Sequence, residues 1–431
     1  MVSITSSRPL SASESAPSTS DRAIAVWLLA CCAMIFAMVV IGGITRLTES
    51  GLSITEWKPI SGVIPPLSEA QWAQEFERYK AIPQYQAIHA DMTLADFKTI
   101  FFWEWLHRLW GRLIGVVFAA PFLWFLWKRR LPRSLAPKLA IIFVLGGLQG
   151  ALGWFMVESG LSERIEVSQY RLVAHLAAAL ILYLAILWVA LSLLRPRPSG
   201  PAEPRGSRLR AALEAVFELG LQAILWTYFI GGLQRGEPFK LWSSLLFVGA
   251  IICAWVFIAR RTRSQPIARL RRGVSYLLAF AFITVLAGGF VAGLRAGYLY
   301  NTFPLMNGEV LPPDYAALTP WYLNPFENPS AAQFDHRALA ELTWFFALAL
   351  WLASWRYDLS PGARRTIHAL ALIATIQLGL GIATLLLVVP IPLAAAHQAG
   401  AVALLTAILI VRHHLRRPEG RKLDAGPAPA L

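Results

Sequence analysis

Long apolar segments recur along this chain of 431 residues and constrain its fold more than any other feature. Each holds about 20 mostly apolar residues, the length that a helix needs to cross roughly 30 Å of hydrocarbon. Hydrophobic residues make up 56% of the sequence and charged residues 15%, which excludes an ordinary soluble protein. We predict an all-α polytopic membrane protein of about ten spans. The predicted spans are 23–44, 105–127, 137–157, 171–194, 211–233, 241–260, 273–294, 337–355, 366–389 and 393–412.

The basic residues are concentrated between alternate spans, at 128–133, 195–210, 260–272 and 412–417. The positive-inside rule assigns such clusters to the cytoplasm, so both termini are predicted to be cytoplasmic. A net charge of +14 would suggest a nucleic-acid partner in a soluble protein. Because the loop pattern accounts for that charge here, nucleic acid is excluded as a partner, and membrane lipid is expected instead.

Neither the cysteines nor the N-terminus indicates a covalent cofactor or a cleaved signal. Cys31, Cys32 and Cys253 lie within apolar segments and lack the Cys-x-x-Cys-His spacing of a c-type haem. The start of the chain is rich in Ser and Ala without the basic and apolar order of a signal peptide. We therefore expect residues 1–22 to form a short disordered cytoplasmic tail.

Four of the eight histidines lie at the outer ends of apolar segments, in two pairs with similar separations. His107 and His175 are 68 residues apart (175 − 107 = 68), and His336 and His397 are 61 apart (397 − 336 = 61). A haem iron held by two imidazoles needs one histidine from each of two helices, and a four-helix bundle provides the cavity. A single intramembrane histidine could equally be structural, but four in matched positions predict two haem sites near the outer face. The other histidines, His89, His368, His413 and His414, are expected to have surface or anchoring roles.

An internal repeat extends beyond the histidines. Gly42-Gly43 is matched by Gly288-Gly289 (289 − 43 = 246), and Gln149 is matched by Gln377 (377 − 149 = 228). Each copy has four spans, an even number, so the copies should run parallel and be related by an axis along the membrane normal. We predict two pseudo-symmetric four-helix bundles plus an inserted pair of helices at 211–260. The predicted organisation is a tail at 1–22, a first bundle at 23–195, a linker with the inserted hairpin at 196–272, a second bundle at 273–412 and a tail at 413–431.

The two copies differ at one position beside the histidines. Glu104 stands three residues before His107, whereas Gln333 stands three residues before His336. On a helix both side chains of each pair project to one face. A carboxylate in a low-dielectric pocket beside a haem can take a proton or activate water, which an amide cannot. Glu104 is therefore the candidate catalytic residue; the alternative is a plain ion pair with a neighbouring arginine at a helix start.

Three long strings resemble haem A synthase of the proteobacterial and mitochondrial type: residues 42–59, Glu-Trp-Leu-His-Arg at 104–108, and residues 292–306. The resemblance covers about 23–195 and 273–412. It implies an eight-helix core of two bundles, with a haem b cofactor in the C-terminal half and substrate haem O in the N-terminal half. The residues that it assigns are His336 and His397 as axial ligands of haem b iron, His107 and His175 as substrate-haem ligands, and Glu104 as the catalytic carboxylate.

The implied reaction oxidises a methyl group of haem O to a formyl group in two steps, with oxygen from water and electrons leaving through haem b. A bacterial inner membrane is the implied location, with the histidines near the periplasmic face. A haem O synthase is the natural partner, and a homo-oligomer is possible. Four arginines at the outer face, Arg108, Arg337, Arg46 and Arg295, are candidates for the haem propionates; the alternative is ordinary anchoring at the interface. The chain departs from the family in lacking a cysteine pair in its first outer loop and, we expect, in adding the helices at 211–260.

Two other classes of protein remain open. A dihaem membrane cytochrome b that only relays electrons would explain the four histidines, but it would more naturally place its haems at opposite faces. A transporter with two repeats would explain the symmetry without requiring histidine pairs. Of the three interpretations, only the synthase uses the difference between Glu104 and Gln333.

Overall fold

The computed structural model describes residues 19–58, 61–161, 166–195 and 267–416. Within these ranges the chain is helical, with no β-structure beyond one bridge between Met306 and Glu309. Eight of the described helices are long and apolar enough to cross a membrane, which confirms eight predicted spans. They are α1 (Thr19–Leu47), α4 (Leu94–Trp127), α5 (Ala136–Leu161), α6 (Gln169–Leu194), α7 (Ile267–Gly293), α9 (Pro329–Ser354), α10 (Pro361–Leu386) and α11 (Ile391–His414). The predicted spans 211–233 and 241–260, and the tails 1–18 and 417–431, lie outside the described residues.

Three short helices lie at the ends of the long helices that the sequence predicts to be outer: α2 (Glu69–Lys80), α3 (Pro83–Ile88) and α8 (Asn324–Glu327). Phe76 and Tyr79 of α2 pack against Phe97 and Phe101 of α4, and Leu52 joins them in a buried cluster. This cluster fixes the loop that contains Leu52 against the outer end of α4. The same loop contributes to the candidate site described below.

Two helices begin well before their predicted starts. Helix α4 begins at Leu94, not 105, because Thr93 and Asp96 form a capping box. Helix α9 begins at Pro329, not 337, because the side chain of Asn328 accepts a hydrogen bond from Ser330 N. The residues that carry the site therefore lie in helix interiors, and the expectation of a helix start at Glu104 is wrong.

The packing of the long helices forms two four-membered groups. Helix α1 contacts α4 and α6, and α5 closes the first group by contacting both. In the second group α7 contacts α9 and α11, and α10 likewise contacts both. The groups meet where α1 contacts α11 and where α6 contacts α7 and α11. The contacts agree with the repeat seen in the sequence, since α1 and α7 occupy matching places, as do α6 and α11.

A continuous buried core joins the two groups. Leu28 of α1, Leu180 of α6, Leu277 of α7 and Leu405 of α11 are all fully buried within one cluster. Because lipid is as apolar as these side chains, close packing rather than release of water stabilises such an interface. The core thus holds the outer ends of the central helices in fixed positions relative to one another.

Candidate haem sites

The first histidine pair lies in the N-terminal group. His107 belongs to α4, and its ring rests on Gly42 of α1, where an added Cβ would come within 2.8 Å of the ring atom Cε1. His175 belongs to α6, and its ring rests on Gly153 of α5, where an added Cβ would come within 2.9 Å of Cε1. Any larger residue would displace the rings, so each imidazole depends on a glycine of a neighbouring helix.

The second pair repeats this arrangement. His336 of α9 rests on Gly288 of α7, and His397 of α11 rests on Gly381 of α10; in each case an added Cβ would lie 2.8 Å from Cε1. Gly288 lies 246 residues after Gly42 (288 − 42 = 246), which is the offset of the sequence repeat in these helices. The repeat therefore extends to the backbone that supports each imidazole.

The spacing of the second pair is suited to a metal between the rings. The ring centroids of His336 and His397 are 6.4 Å apart. A metal–nitrogen bond of about 2 Å and roughly 1 Å from nitrogen to centroid, on both sides, add up to about 6 Å. The donor set also fits, since neutral imidazole is the usual ligand when haem iron is held by histidine. Within the described ranges, no group of three or more His, Cys, Asp or Glu side chains offers a different metal site.

Three of the four rings are oriented through Nδ1. Thr284 O lies 3.1 Å from Nδ1 of His336, Gln149 Nε2 lies 3.1 Å from that of His175, and Gln377 Nε2 lies 3.2 Å from that of His397. Nδ1 of His336 donates to Thr284 O, which fixes the ring and leaves Nε2 for a metal. At His175 and His397 the glutamine amide is the donor, so Nδ1 accepts and the contact fixes the orientation of the ring only. His107 differs, because its buried Nδ1 has no hydrogen-bond partner among the described residues.

Glu104 lies one helical turn from His107 and is only 3% exposed. Its carboxylate accepts hydrogen bonds from Ser53 Oγ at 2.7 Å, Ile54 N at 2.7 Å and Arg108 Nη2 at 2.6 Å. The ion pair weighed as an alternative therefore exists with Arg108, but it lies in a helix interior. Three donors, including backbone and hydroxyl groups of a separate loop, hold the carboxylate in one position.

The matching position in the second half holds a buried amide. Gln333 is 2% exposed, donates to Tyr300 O at 3.3 Å, and has an unpartnered Oε1. The surroundings otherwise correspond between the halves. Arg108 donates to the carbonyls of residues 54 and 56, and Arg337 donates to those of residues 302 and 304. At this position the difference between the two sites is therefore the carboxylate itself.

The four arginines considered for the haem propionates already have protein partners. Arg46 pairs with Glu166 at 2.9 Å, and Arg295 pairs with Glu166 and, at 2.5 Å, with Glu49. Arg337 retains a buried Nη1 without a hydrogen-bond partner, and Arg46 a buried Nε. Of the buried nitrogens of these four arginines, these two remain for a bound carboxylate.

The remaining histidines take part in local packing. His89 contacts the hydroxyl of Tyr79 at 2.6 Å and Glu49 at 3.1 Å, and burial raises the pKa of Tyr79, which stays neutral. His368 accepts from Trp351 Nε1 at 2.7 Å, while His413 and His414 contact Ser192 and Arg195. None of these rings faces a second histidine in the manner of the two pairs.

Sequence reasoning missed the roles of Ser53, Gln149 and Gln377. The sequence does contain a signal for the two glutamines, because they recur at matching positions of the internal repeat. Ser53 had none, since it lies 51 residues from Glu104 in a polar loop.

Comparison with known proteins agrees with this geometry. Residues 25–238 and 240–409 match the family COX15-CtaA, described as cytochrome oxidase assembly protein. These matched residues include most of the segment 196–266. A haem A synthase of Rhodospirillum centenum is 46% identical over 92% of the chain and 89% of its own length. One of Nitrosospira multiformis is 44% identical over 92% of the chain and 94% of its own length. The chain therefore belongs to the COX15-CtaA family of cytochrome oxidase assembly proteins.

Proposed function

We propose that this chain is a haem A synthase, an oxidoreductase that converts a methyl group of haem O into a formyl group with oxygen derived from water. The observation that carries the proposal is the buried carboxylate of Glu104 beside His107, in a site whose counterpart holds Gln333. The names of the relatives support the product, haem A.

In the N-terminal site, His107 and His175 hold the substrate haem from opposite helices. Glu104 accepts a proton released during methyl oxidation and orients the water that supplies oxygen. Ser53 and Arg108 keep the carboxylate in place, so no side-chain motion is needed for this role. The unpartnered Nδ1 of His107 is consistent with a ligand that must release a product.

In the C-terminal site, His336 and His397 would hold haem b, and the contacts of their Nδ1 atoms with Thr284 O and Gln377 Nε2 fix the orientation of the two rings. Haem b, when bound, carries electrons away from the substrate site. Nδ1 of His336 donates to Thr284 O whereas Nδ1 of His107 has no partner, and this difference favours the more permanent ligand in the C-terminal site. Gln333 supplies no charge, so this site lacks the acid–base group of its counterpart.

The location proposed is a bacterial inner membrane with cytoplasmic termini and histidines toward the periplasm. Basic loops between alternate spans support this orientation. A haem O synthase is the proposed partner, since it makes the substrate, and self-association into a homo-oligomer is also proposed. A dihaem cytochrome b that only relays electrons is not favoured, because both pairs lie in the halves of their helices that face the same side, and Glu104 would have no role.

The test is Glu104→Gln, which keeps the size of the side chain and makes the first site resemble the second. Loss of a general base lowers turnover by a factor of about 10²–10⁴. We expect haem A formed per bound haem b to fall by that factor in membranes that contain haem O. The low-spin haem b spectrum should be unchanged.

A matched control is His336→Ala, which should lose the low-spin spectrum because it removes an axial ligand of haem b. If Glu104→Gln made haem A at the wild-type rate, the carboxylate would be only an ion-pair partner of Arg108 and the mechanism would be wrong. If His336→Ala kept the spectrum, the ligand assignment would be wrong.

A further inference from the structure

A cavity of about 380 Å³ lies at the far ends of α6, α10 and α11 from the histidines. Its lining residues are Arg195, Gly362, Arg365, Thr366, Ala369 and His414. Two of these side chains are guanidinium groups, and the lining includes no carboxylate among the residues that the structure describes. The cavity therefore has a mostly apolar wall and lies between two basic side chains.

The positive charge of the lining is not neutralised by ion pairs. Arg195 approaches the ring of His414, which offers a ring nitrogen but no negative charge. The side-chain contact of Arg365 is a long hydrogen bond of 3.4 Å from Nε to Pro361 O. Within the described ranges, neither arginine forms an ion pair with a carboxylate. Two guanidinium groups around one space form a binding site for a group with negative charge.

The cavity lies at the depth of lipid headgroups. Arg195 directly follows the last residue of α6, Gly362 is the second residue of α10, and His414 is the last residue of α11. Basic pockets between membrane helices on the cytoplasmic side are typical sites for phospholipid phosphates. This is also the face that carries the basic loops of the sequence.

Apolar residues continue from the cavity along α10. Ala369 lines the cavity, and Leu372 and Ile376, three and seven residues later, lie on the same face of the helix and are exposed by 62% and 52%. A ligand that fills the cavity and follows this face must therefore combine a negative headgroup with apolar chains. A free anion would occupy the cavity but would make no use of the apolar face of α10.

We propose that this cavity binds the phosphate group of an anionic phospholipid, whose acyl chains follow the exposed face of α10. Helix α6 belongs to the N-terminal group, whereas α10 and α11 belong to the C-terminal group. One phosphate between Arg195 and Arg365 would therefore link the two halves at the face opposite the histidine sites. The lipid is a structural ligand of the fold, separate from haem chemistry.

The test uses the purified holoprotein in detergent, stripped of lipid and titrated with dihexanoylphosphatidylglycerol while tryptophan fluorescence follows thermal unfolding. Binding to the folded state raises the melting temperature in a concentration-dependent manner. Each basic residue near the surface contributes a factor of about five in affinity, so Arg195→Gln with Arg365→Gln should weaken the lipid effect about 25-fold. Each single variant should weaken it about fivefold.

The matched control is Arg130→Gln with Arg133→Gln, which removes the same charge from the same face but away from the cavity. This control should respond to the lipid as the wild type does. If lipid raised the melting temperature of both double variants equally, the proposed site would be wrong. It would also be wrong if dihexanoylphosphatidylcholine, which carries no net charge, raised the melting temperature as much as dihexanoylphosphatidylglycerol. If inorganic phosphate alone gave the full effect, the occupant would be a free phosphate and the lipid assignment would be wrong.

If the double variant at the cavity does not fold, phospholipid phosphorus that co-purifies with each single variant gives a second measurement. We expect less phosphorus per protein in Arg195→Gln and Arg365→Gln than in Arg130→Gln. Equal amounts in all three variants would overturn the proposal.

Discussion

Each candidate haem ligand lies against a glycine of a neighbouring helix, and this contact determines where the imidazole can stand. Gly381 and Gly379 of α10 provide a matched comparison two residues apart. An added Cβ at Gly381 would lie 2.8 Å from Cε1 of His397, whereas one at Gly379 meets no atom within 4 Å. Small-residue positions in membrane helices are often assigned to general packing. Here the two glycines have different surroundings despite the same residue type.

We predict that Gly381→Ala displaces the ring of His397 and alters or abolishes the low-spin haem b spectrum, because a ring in a packed interior cannot yield without strain of about 1–3 kcal/mol. Gly379→Ala should leave that spectrum unchanged. Visible spectra of both purified variants decide the matter. Identical spectra of the two variants would disprove the claim that Gly381 positions the ring of His397.

The four candidate ligands could be identified and paired from the sequence, whereas the surroundings of Glu104 could not be predicted. His107, His175, His336 and His397 recur at regular offsets within apolar segments, so pattern alone identifies them. Ser53 donates to Glu104 across 51 residues of sequence, and a serine in a polar loop has no pattern that indicates a partner. Contacts made by loops depend on tertiary packing, which periodicity does not encode.

At the scale of elements, the outer end of α4 illustrates why helix boundaries were predicted less well than helix existence. Residues 94–104 continue the helix beyond the predicted span because the Thr93 cap and an aromatic cluster stabilise them. A hydropathy window measures apolar length and does not detect a capped helical turn in water. The eight described spans were nevertheless predicted, because runs of about 20 apolar residues have few alternatives.

Phe97 is fully buried at the centre of the cluster that holds α2 against α4. We predict that Phe97→Ala destabilises this outer layer by about 3–5 kcal/mol, the usual cost of removing a buried aromatic ring. The loop that carries Ser53 packs on the same layer, so it should become sensitive to limited proteolysis while haem b binding persists. Phe102→Ala is the control, because that side chain is 47% exposed. Equal protease resistance of the two variants would contradict the assigned role of the layer.

At the scale of the whole molecule, the two halves repeat the same pattern of helix contacts, yet individual side-chain contacts have diverged. Glu49 and Arg295 occupy matching positions (295 − 49 = 246), share left-handed backbone angles of φ 57° and 53°, and form an ion pair at 2.5 Å. In a dimer of identical subunits, a residue near the axis would face its own copy, and like charges would repel. Fusion of the halves into one chain allows opposite charges at equivalent positions.

A second divergence lies where α1 meets α11. Gln398 of α11 packs against Gly43 and donates to Val39 O at 3.0 Å, whereas the equivalent Leu176 of α6 (398 − 176 = 222) packs against Gly289. Gln398 directly follows the ligand His397, and Gly43 directly follows Gly42, on which His107 rests. The two candidate haem sites are therefore connected through one amide side chain and two glycines.

We predict that Gly43→Ala, a change in the N-terminal half, perturbs haem b in the C-terminal half. An added Cβ at Gly43 would lie 1.6 Å from Oε1 of Gln398, so this side chain must move and lose its bond to Val39 O, worth about 1 kcal/mol. Movement of Gln398 shifts the adjacent His397 and should alter the low-spin spectrum. Combining Gly43→Ala with Gln398→Ala removes the collision and should restore the spectrum. A spectrum that stays perturbed in the double variant would mean that the effect of Gly43→Ala does not pass through Gln398.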